Sequence, residues 1–183
     1  MSTVQDRDVK QVLFSEEELQ KKIAEIGKAI TRDYQGKKLL MISILKGSVI
    51  VMADLMRAID LPLQIDFMKV SSYGAGTDSK GSVKILKDLD VDIRGLDVLI
   101  VEDILDSGIT LYNLIQMLRQ REPASIEICT LFSKPSRRQV EVDAKYIGFT
   151  IPDAFIVGYG LDYAERYRNL PYVGVLKKEI YGG

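Results

Sequence analysis

Residues Val98–Val101 are wholly apolar and end abruptly in two adjacent acids, Glu102 and Asp103. The next stretch, Ile104-Leu105-Asp106-Ser107-Gly108-Ile109-Thr110, leads into leucines and a methionine at helical spacing as far as Arg121. An apolar run without polar alternation predicts a strand covered on both faces, and such strands occur in parallel sheets layered with helices. In an open parallel sheet, ligands bind beyond the carboxyl ends of the strands. This strand would deliver two carboxylates to that edge and then a glycine-containing turn that opens a helix. The first N–H groups of a helix are unsatisfied donors with a favourable dipole, and Gly108 lets a ligand approach the backbone. With the hydroxyls of Ser107 and Thr110 beside it, the turn suits a phosphate monoester, and the acids suit the two hydroxyls of a ribose.

The remaining sequence supplies layers for such a sheet. Ser15 and Glu18 have capping-box spacing, and Leu19, Ile23, Ile26 and Ile30 follow at helical intervals, which predicts a helix from about Glu16 to Tyr34. Leu39–Leu45 reads as another buried strand and Ser48–Ile59 as its helix. Strands are also expected at Leu63–Val70, Ser82–Leu86, Ile126–Phe132, Lys145–Phe149, Phe155–Tyr159 and Val173–Leu176, with prolines at 123, 135, 152 and 171 in the connections. Strands alternating with helices predict an α/β fold with a mostly parallel sheet flanked by helices. Between two of these strands, Ser71–Gly81 holds Gly74, Gly76 and Gly81 and almost nothing apolar, which predicts a mobile excursion. A length of 183 residues, 46% of them hydrophobic, suits one domain over residues 1–183.

Composition removes several chemistries. The chain has no histidine, so it can form neither a Ser-His-Asp triad nor a histidine-ligated metal centre. A metal held here would be hard and oxygen-bound, which favours magnesium. Its formal net charge of −1 makes nucleic acid a poor partner. No apolar run approaches the roughly 20 residues needed to span a bilayer. The polar start lacks a secretory pattern, so a cytoplasmic protein is expected with no membrane partner. The single cysteine, Cys129, lies in an apolar run and is expected as a small buried side chain. Neither G-x-G-x-x-G after a strand nor G-x-x-x-x-G-K-[ST] is present, so dinucleotide and P-loop signatures are missing.

The run Val98–Thr110 resembles the phosphoribosyl pyrophosphate-binding motif of the phosphoribosyltransferases. Leu45-Lys46-Gly47 resembles the family's pyrophosphate loop, and Ser72-Tyr73-Gly74 the start of its closing lid. Phe155 to Tyr159, continuing through Leu161-Asp162-Tyr163 to Arg168, resembles the base-binding end of hypoxanthine-guanine phosphoribosyltransferases. These motifs lie within residues 39 to 176. The resemblance implies the type I phosphoribosyltransferase fold, with a small hood formed by terminal segments, and purine salvage as the function. The expected reaction is magnesium-dependent transfer of the phosphoribosyl group from phosphoribosyl pyrophosphate to hypoxanthine or guanine, by a homodimer or homotetramer.

Residue by residue, the resemblance implies that Glu102 and Asp103 hold ribose hydroxyls and that Asp106, Ser107, Gly108, Ile109 and Thr110 surround the 5′-phosphate. Asp106 is also the expected proton acceptor near purine N7. Lys46, Gly47 and Arg168 are expected at pyrophosphate. Lys134 would donate to the 6-oxo group, Phe155 would stack on the base, and the Ile156 backbone would read its edge. Asp162 is expected at the base end and, with Glu102 and Asp103, near magnesium; Ser72 and Tyr73 are expected in the lid. Ile109 departs from the family, many members of which carry lysine there. A regulator that binds RNA on the same fold would share the phosphate loop, but the balanced charge and purine-type tail favour the enzyme.

Overall fold

A computed structural model describes residues 7–72 and 83–182. In chain order these form β1 (Val9–Phe14), α1 (Glu16–Asp33), β2 (Leu39–Ile44), α2 (Val49–Arg57), β3 (Gln64–Ser72) and β4 (Val83–Lys87). They continue as β5 (Asp97–Leu105), α3 (Ile109–Arg119), β6 (Ser125–Ser133), a 3-10 turn (Pro135–Arg137), β7 (Tyr146–Thr150), β8 (Ile156–Val157), β9 (Val173–Leu176) and α4 (Lys178–Tyr181).

The main sheet has the order β4-β3-β2-β5-β6-β7. All neighbours are parallel except β3 and β4, which pair antiparallel. Side chains alternate across its two faces, as the pleat requires. Leu39, Met41, Leu99, Val101, Cys129 and Leu131 face α1 and α2, where they meet Leu19, Ile23, Ile30, Val51, Met52 and Leu55. Leu40, Ile42, Ile44, Val98, Ile100 and Ile128 face α3, where they meet Leu111, Leu114, Ile115 and Leu118. Covering both faces explains why β2 is buried at every position. Cys129 belongs to this core, and burial pushes its thiol up to about 12.

The expected capping box closes the start of α1: the Glu18 N–H donates to Ser15 Oγ at 3.2 Å, and the Ser15 N–H donates to Glu18 Oε2 at 2.8 Å. No helix among the described residues is long and apolar enough to cross a membrane.

Two features differ from the sequence reading. First, β5 runs on through Glu102 and Asp103 to Leu105, because β6 continues to pair with it, matching Glu102 with Thr130 and Leu105 with Ser133. The acids therefore sit on a strand and not beyond one. Second, the polar opening of the chain contributes β1, which pairs antiparallel with β9; the resulting sheet has the order β1-β9-β8. Every residue of β1 is exposed or half-buried, so no buried apolar run marks it as a strand. This small sheet and α4 form the expected hood around Val157, Tyr167, Leu170 and Leu176. The hood is fastened by Tyr167, whose hydroxyl donates to Asp8 Oδ2 at 2.7 Å.

Candidate active site

The strand order reverses direction between β2 and β5, and the crevice at such a reversal is the usual ligand site of an open parallel sheet. Three strand ends meet there. After β2, the loop Leu45–Ser48 is tied down by Ser48, whose hydroxyl donates to the Ile44 carbonyl at 2.5 Å and lies 2.8 Å from the Ser43 hydroxyl. The Leu45–Lys46 peptide bond is cis. Gly47 is pressed against β5: a methyl group there would lie 1.8 Å from Asp103 Oδ2.

After β5, Gly108 caps α3 with φ 83°, in the left-handed region, and no side chain caps the helix. The turn's own hydroxyl, Ser107 Oγ, accepts from the Ile109 N–H at a long 3.4 Å. A cavity of about 130 Å³ opens at this turn, lined by Glu102, Asp106, Ser107, Gly108 and Thr110 among others. Its wall is fixed from behind, since the Gln139 N–H donates to the Ser107 carbonyl at 3.0 Å and a methyl at Gly108 would meet the Val140 carbonyl at 2.9 Å. The expected phosphate-binding residues thus form one continuous turn. Ile109 is its first helical residue and offers only a backbone N–H toward a phosphate.

After β6, Lys134 is buried, and its ammonium donates to the Ala154 carbonyl at 2.6 Å. Burial lowers its pKa below the ordinary lysine range, while Asp106 and Asp153 pull the other way. Arg137, on the 3-10 turn, pairs with Asp153 at 2.8 Å and lies 3.9 Å from Asp106 Oδ2. Asp106 Oδ1 is buried and accepts no hydrogen bond among the described residues. A buried oxygen without a protein partner is uncommon, and a water or a ligand donor ordinarily satisfies it. Arg137 had no signal in the sequence beyond its place in a basic, serine-containing turn.

The tail from Phe155 to Arg168 closes the crevice. Phe155 precedes β8 and is 37% exposed, with one ring face against Tyr181 of α4. The centroids are 4.7 Å apart and the planes differ by 23°, while Tyr163 meets the Phe155 ring edge-on at 5.5 Å. Ile156 lies on β8, the outer strand of the hood sheet, so strand pairing engages only its β9 side. The tail's return is seated on the first loop, because a methyl at Gly160, φ 98°, would lie 2.0 Å from the Gly47 carbonyl. Arg168 donates to the Gly160 carbonyl at 2.8 Å and pairs with Asp162 at 3.0 Å, while its Nε is buried with no partner among the described residues.

Burial disfavours the ionised form of both acids. Burial lifts the Glu102 carboxyl well above the usual range, with Asp103 adding to the shift; burial also lifts Asp103, to about 6, with Asp162 contributing and Arg168 opposing. Carboxylates in that state favour a cation. Among the described residues, however, no three acidic or cysteine side chains converge as a preformed metal cage. The fit is therefore to magnesium that brings substrate phosphate oxygens and water as most of its ligands, which is the ion's ordinary habit. Of the expected lid, Ser72 ends β3, while Tyr73 lies outside the described residues.

Comparison with known proteins decides the family. Residues 12–164 match the phosphoribosyl transferase domain. The chain is 56% identical over 174 residues to the hypoxanthine-guanine phosphoribosyltransferase of Bacillus subtilis, covering 95% of this chain and 97% of that one. The chain belongs to the phosphoribosyltransferase family. The crystal structure of a hypoxanthine phosphoribosyltransferase from Staphylococcus aureus superimposes on this phosphoribosyltransferase with a TM-score of 0.97, at 52% identity and 100% coverage of both chains. The bifunctional protein TilS/HprT of Listeria monocytogenes is 53% identical over 174 residues, and there the chain spans 27% of the relative's length.

Proposed function

We propose that the protein transfers the 5-phosphoribosyl group of phosphoribosyl pyrophosphate to N9 of hypoxanthine or guanine, giving IMP or GMP and pyrophosphate. The observation that carries this reading is the unpartnered, buried Asp106 Oδ1 beside an uncapped helix start, with Lys134 close by. A phosphate loop, a proton acceptor and a donor for an oxo group then share one crevice.

Three demands follow from the chemistry. The bond from ribose C1 to pyrophosphate breaks, so charge on the leaving group must be stabilised; Lys46, the Gly47 backbone and Arg168 supply positive charge and donors. Glu102, Asp103 and Asp162 would flank, without caging, a magnesium ion that takes most of its ligands from substrate and water, and the ion would add Lewis-acid neutralisation of the same charge. The ribose becomes cationic as the bond breaks, and the two acids at the end of β5 hold its hydroxyls and stabilise that charge. As C1–N9 forms, the purine loses its N7 proton, which Asp106 accepts.

The base is held on three sides. Phe155 offers its free ring face, Lys134 donates to the 6-oxo group, and the Ile156 backbone meets the base edge. The Ser72–Tyr73 segment serves as the lid that excludes water from the activated ribose. A single-domain homodimer or homotetramer in the cytoplasm completes the reading; the unpaired, buried Cys129 agrees with a compartment that does not form disulfides.

Replacing Asp106 with asparagine tests this assignment, because the amide keeps the shape and removes the basicity. Phosphoribosyl pyrophosphate should still bind, while kcat falls by about 10²- to 10⁴-fold. A folded Asp106→Asn protein with wild-type kcat would refute it.

A further inference from the structure

Glu165 was not singled out by any motif, yet it stands between the two cations assigned to pyrophosphate. One carboxylate oxygen, Oε2, lies 2.8 Å from Lys46 Nζ, and the other, Oε1, lies 3.3 Å from Arg168 Nη2. Lys46 comes from the loop after β2 and Arg168 from the tail, 122 positions along the chain by subtraction of their numbers (168 − 46). A single acid therefore joins the two halves of the subsite with one oxygen for each cation, as two oxygens of a bound pyrophosphate would.

The backbone holds this side chain in place under strain. Ala164 and Glu165 have φ of 51° and 62°, both left-handed, in the two central positions of a tight turn. The turn is closed by mutual hydrogen bonds between Tyr163 and Arg166, at 3.2 and 3.0 Å. Such a turn is normally made with Asn-Gly, which adopts positive φ readily. Asp162 fixes it by accepting the Glu165 N–H at 2.9 Å. Non-glycine residues kept in this conformation persist where the surroundings over-determine them, often at functional sites. Here the alternative Asn-Gly would close the same turn and lose the carboxylate.

We infer that Glu165 is a built-in stand-in for pyrophosphate: its carboxylate bridges Lys46 and Arg168 in the free enzyme and yields them to the pyrophosphate group when substrate binds. The inference rests on the assignment of Lys46 and Arg168 to pyrophosphate. Its physical content is a competition. The cations arrive at the substrate already oriented, and the carboxylate lowers the affinity of whatever anion replaces it, so it favours departure of the product. The acid is largely exposed, which leaves it room to swing aside.

The test is the affinity of inorganic pyrophosphate and of phosphoribosyl pyrophosphate in four variants of the whole enzyme. Glu165→Gln keeps size and backbone demand and removes the charge. It should tighten pyrophosphate binding and lower KM for phosphoribosyl pyrophosphate by about three- to tenfold, as expected for releasing two exposed ion pairs. KM for hypoxanthine should change much less, and pyrophosphate should dissociate more slowly in stopped-flow displacement. Glu165→Gly also removes the backbone strain; it should tighten binding as glutamine does. Tightening by glycine alone would make turn strain the cause and overturn the proposal. Lys46→Met and Arg168→Gln should both weaken pyrophosphate binding. If they do and Glu165→Gln does not tighten it, the stand-in role is refuted while the subsite assignment stands. If neither weakens it, the subsite assignment itself fails and the stand-in role fails with it.

Discussion

Gly160 sits directly on Gly47, so closely that a methyl on the former would lie 2.0 Å from the carbonyl oxygen of the latter. This contact joins the tail proposed to hold the base to the loop proposed to hold pyrophosphate. At φ 98°, Gly160 also occupies backbone territory that side chains rarely enter. Both effects oppose any substitution. Gly160→Ala should cost about 3 kcal/mol or more, lowering Tm by roughly 6 °C or more in a chain of this size. It should also raise KM for both substrates. Wild-type Tm and kinetics would show that the two loops are not coupled through this contact.

Tyr181 covers one face of Phe155, and the other is the face proposed for the base. Loss of an aromatic pair costs about 0.5–1.5 kcal/mol. Tyr181→Ala should therefore raise KM for hypoxanthine by roughly two- to tenfold, with KM for phosphoribosyl pyrophosphate little changed. Tyr181→Phe should restore it, because the stack needs the ring and not the hydroxyl. A lower KM in the alanine variant would mean that Tyr181 occupies the base position instead of backing it.

Lys134 is held by the Ala154 carbonyl at 2.6 Å, with Asp106 near enough to favour its charged form. An ammonium can only donate, so it suits a 6-oxo group and opposes a 6-amino group. Glutamine can donate or accept. Lys134→Gln should narrow the preference for hypoxanthine over adenine by tenfold or more, on the order of the discrimination expected when one hydrogen bond changes sign. Unchanged selectivity in a folded variant would remove Lys134 from base recognition.

Asp103 carries a burial cost that the proposed magnesium would offset. Its carboxyl is raised by burial to about 6 in the fold, against about 3.9 for an unfolded aspartate. The folded chain therefore binds the proton more tightly between those values. This group's contribution to stability falls as pH rises from about 4 to 6 and stays low above that, by up to about 3 kcal/mol. Asp103→Asn should raise Tm at pH 8 in excess chelator by a few degrees, while weakening binding of phosphoribosyl pyrophosphate with magnesium. A lower Tm under those conditions would show that the ionised carboxylate is not penalised.

The elements legible in the sequence were those whose burial pattern is continuous or strictly periodic. β2 and the first half of β5 show apolar residues on both faces, and α1 shows a capping box with helical spacing. Those signals located the turn before α3 and the sheet edge that carries it. What remained hidden depends on contacts between distant segments. β5 continues through its acids only because β6 pairs alongside, and β1 exists only because β9 accepts it. The same holds at the candidate site. Lys46, Arg168 and Phe155 were assigned through motif resemblance, whereas Glu165, Arg137 and Tyr181 owe their places to contacts with other segments. The raised carboxyls of Glu102 and Asp103 likewise require burial that no linear pattern states.

The central claim is that these loops together make a transferase for 6-oxopurines. Its most direct measurement supplies the wild-type protein with magnesium and phosphoribosyl pyrophosphate, and compares nucleotide formation from hypoxanthine, guanine, xanthine, adenine and uracil. The account predicts rapid formation of IMP or GMP, little or no product from adenine and uracil, and loss of turnover in excess chelator. A preference for adenine or uracil, or robust turnover without divalent metal, would contradict it.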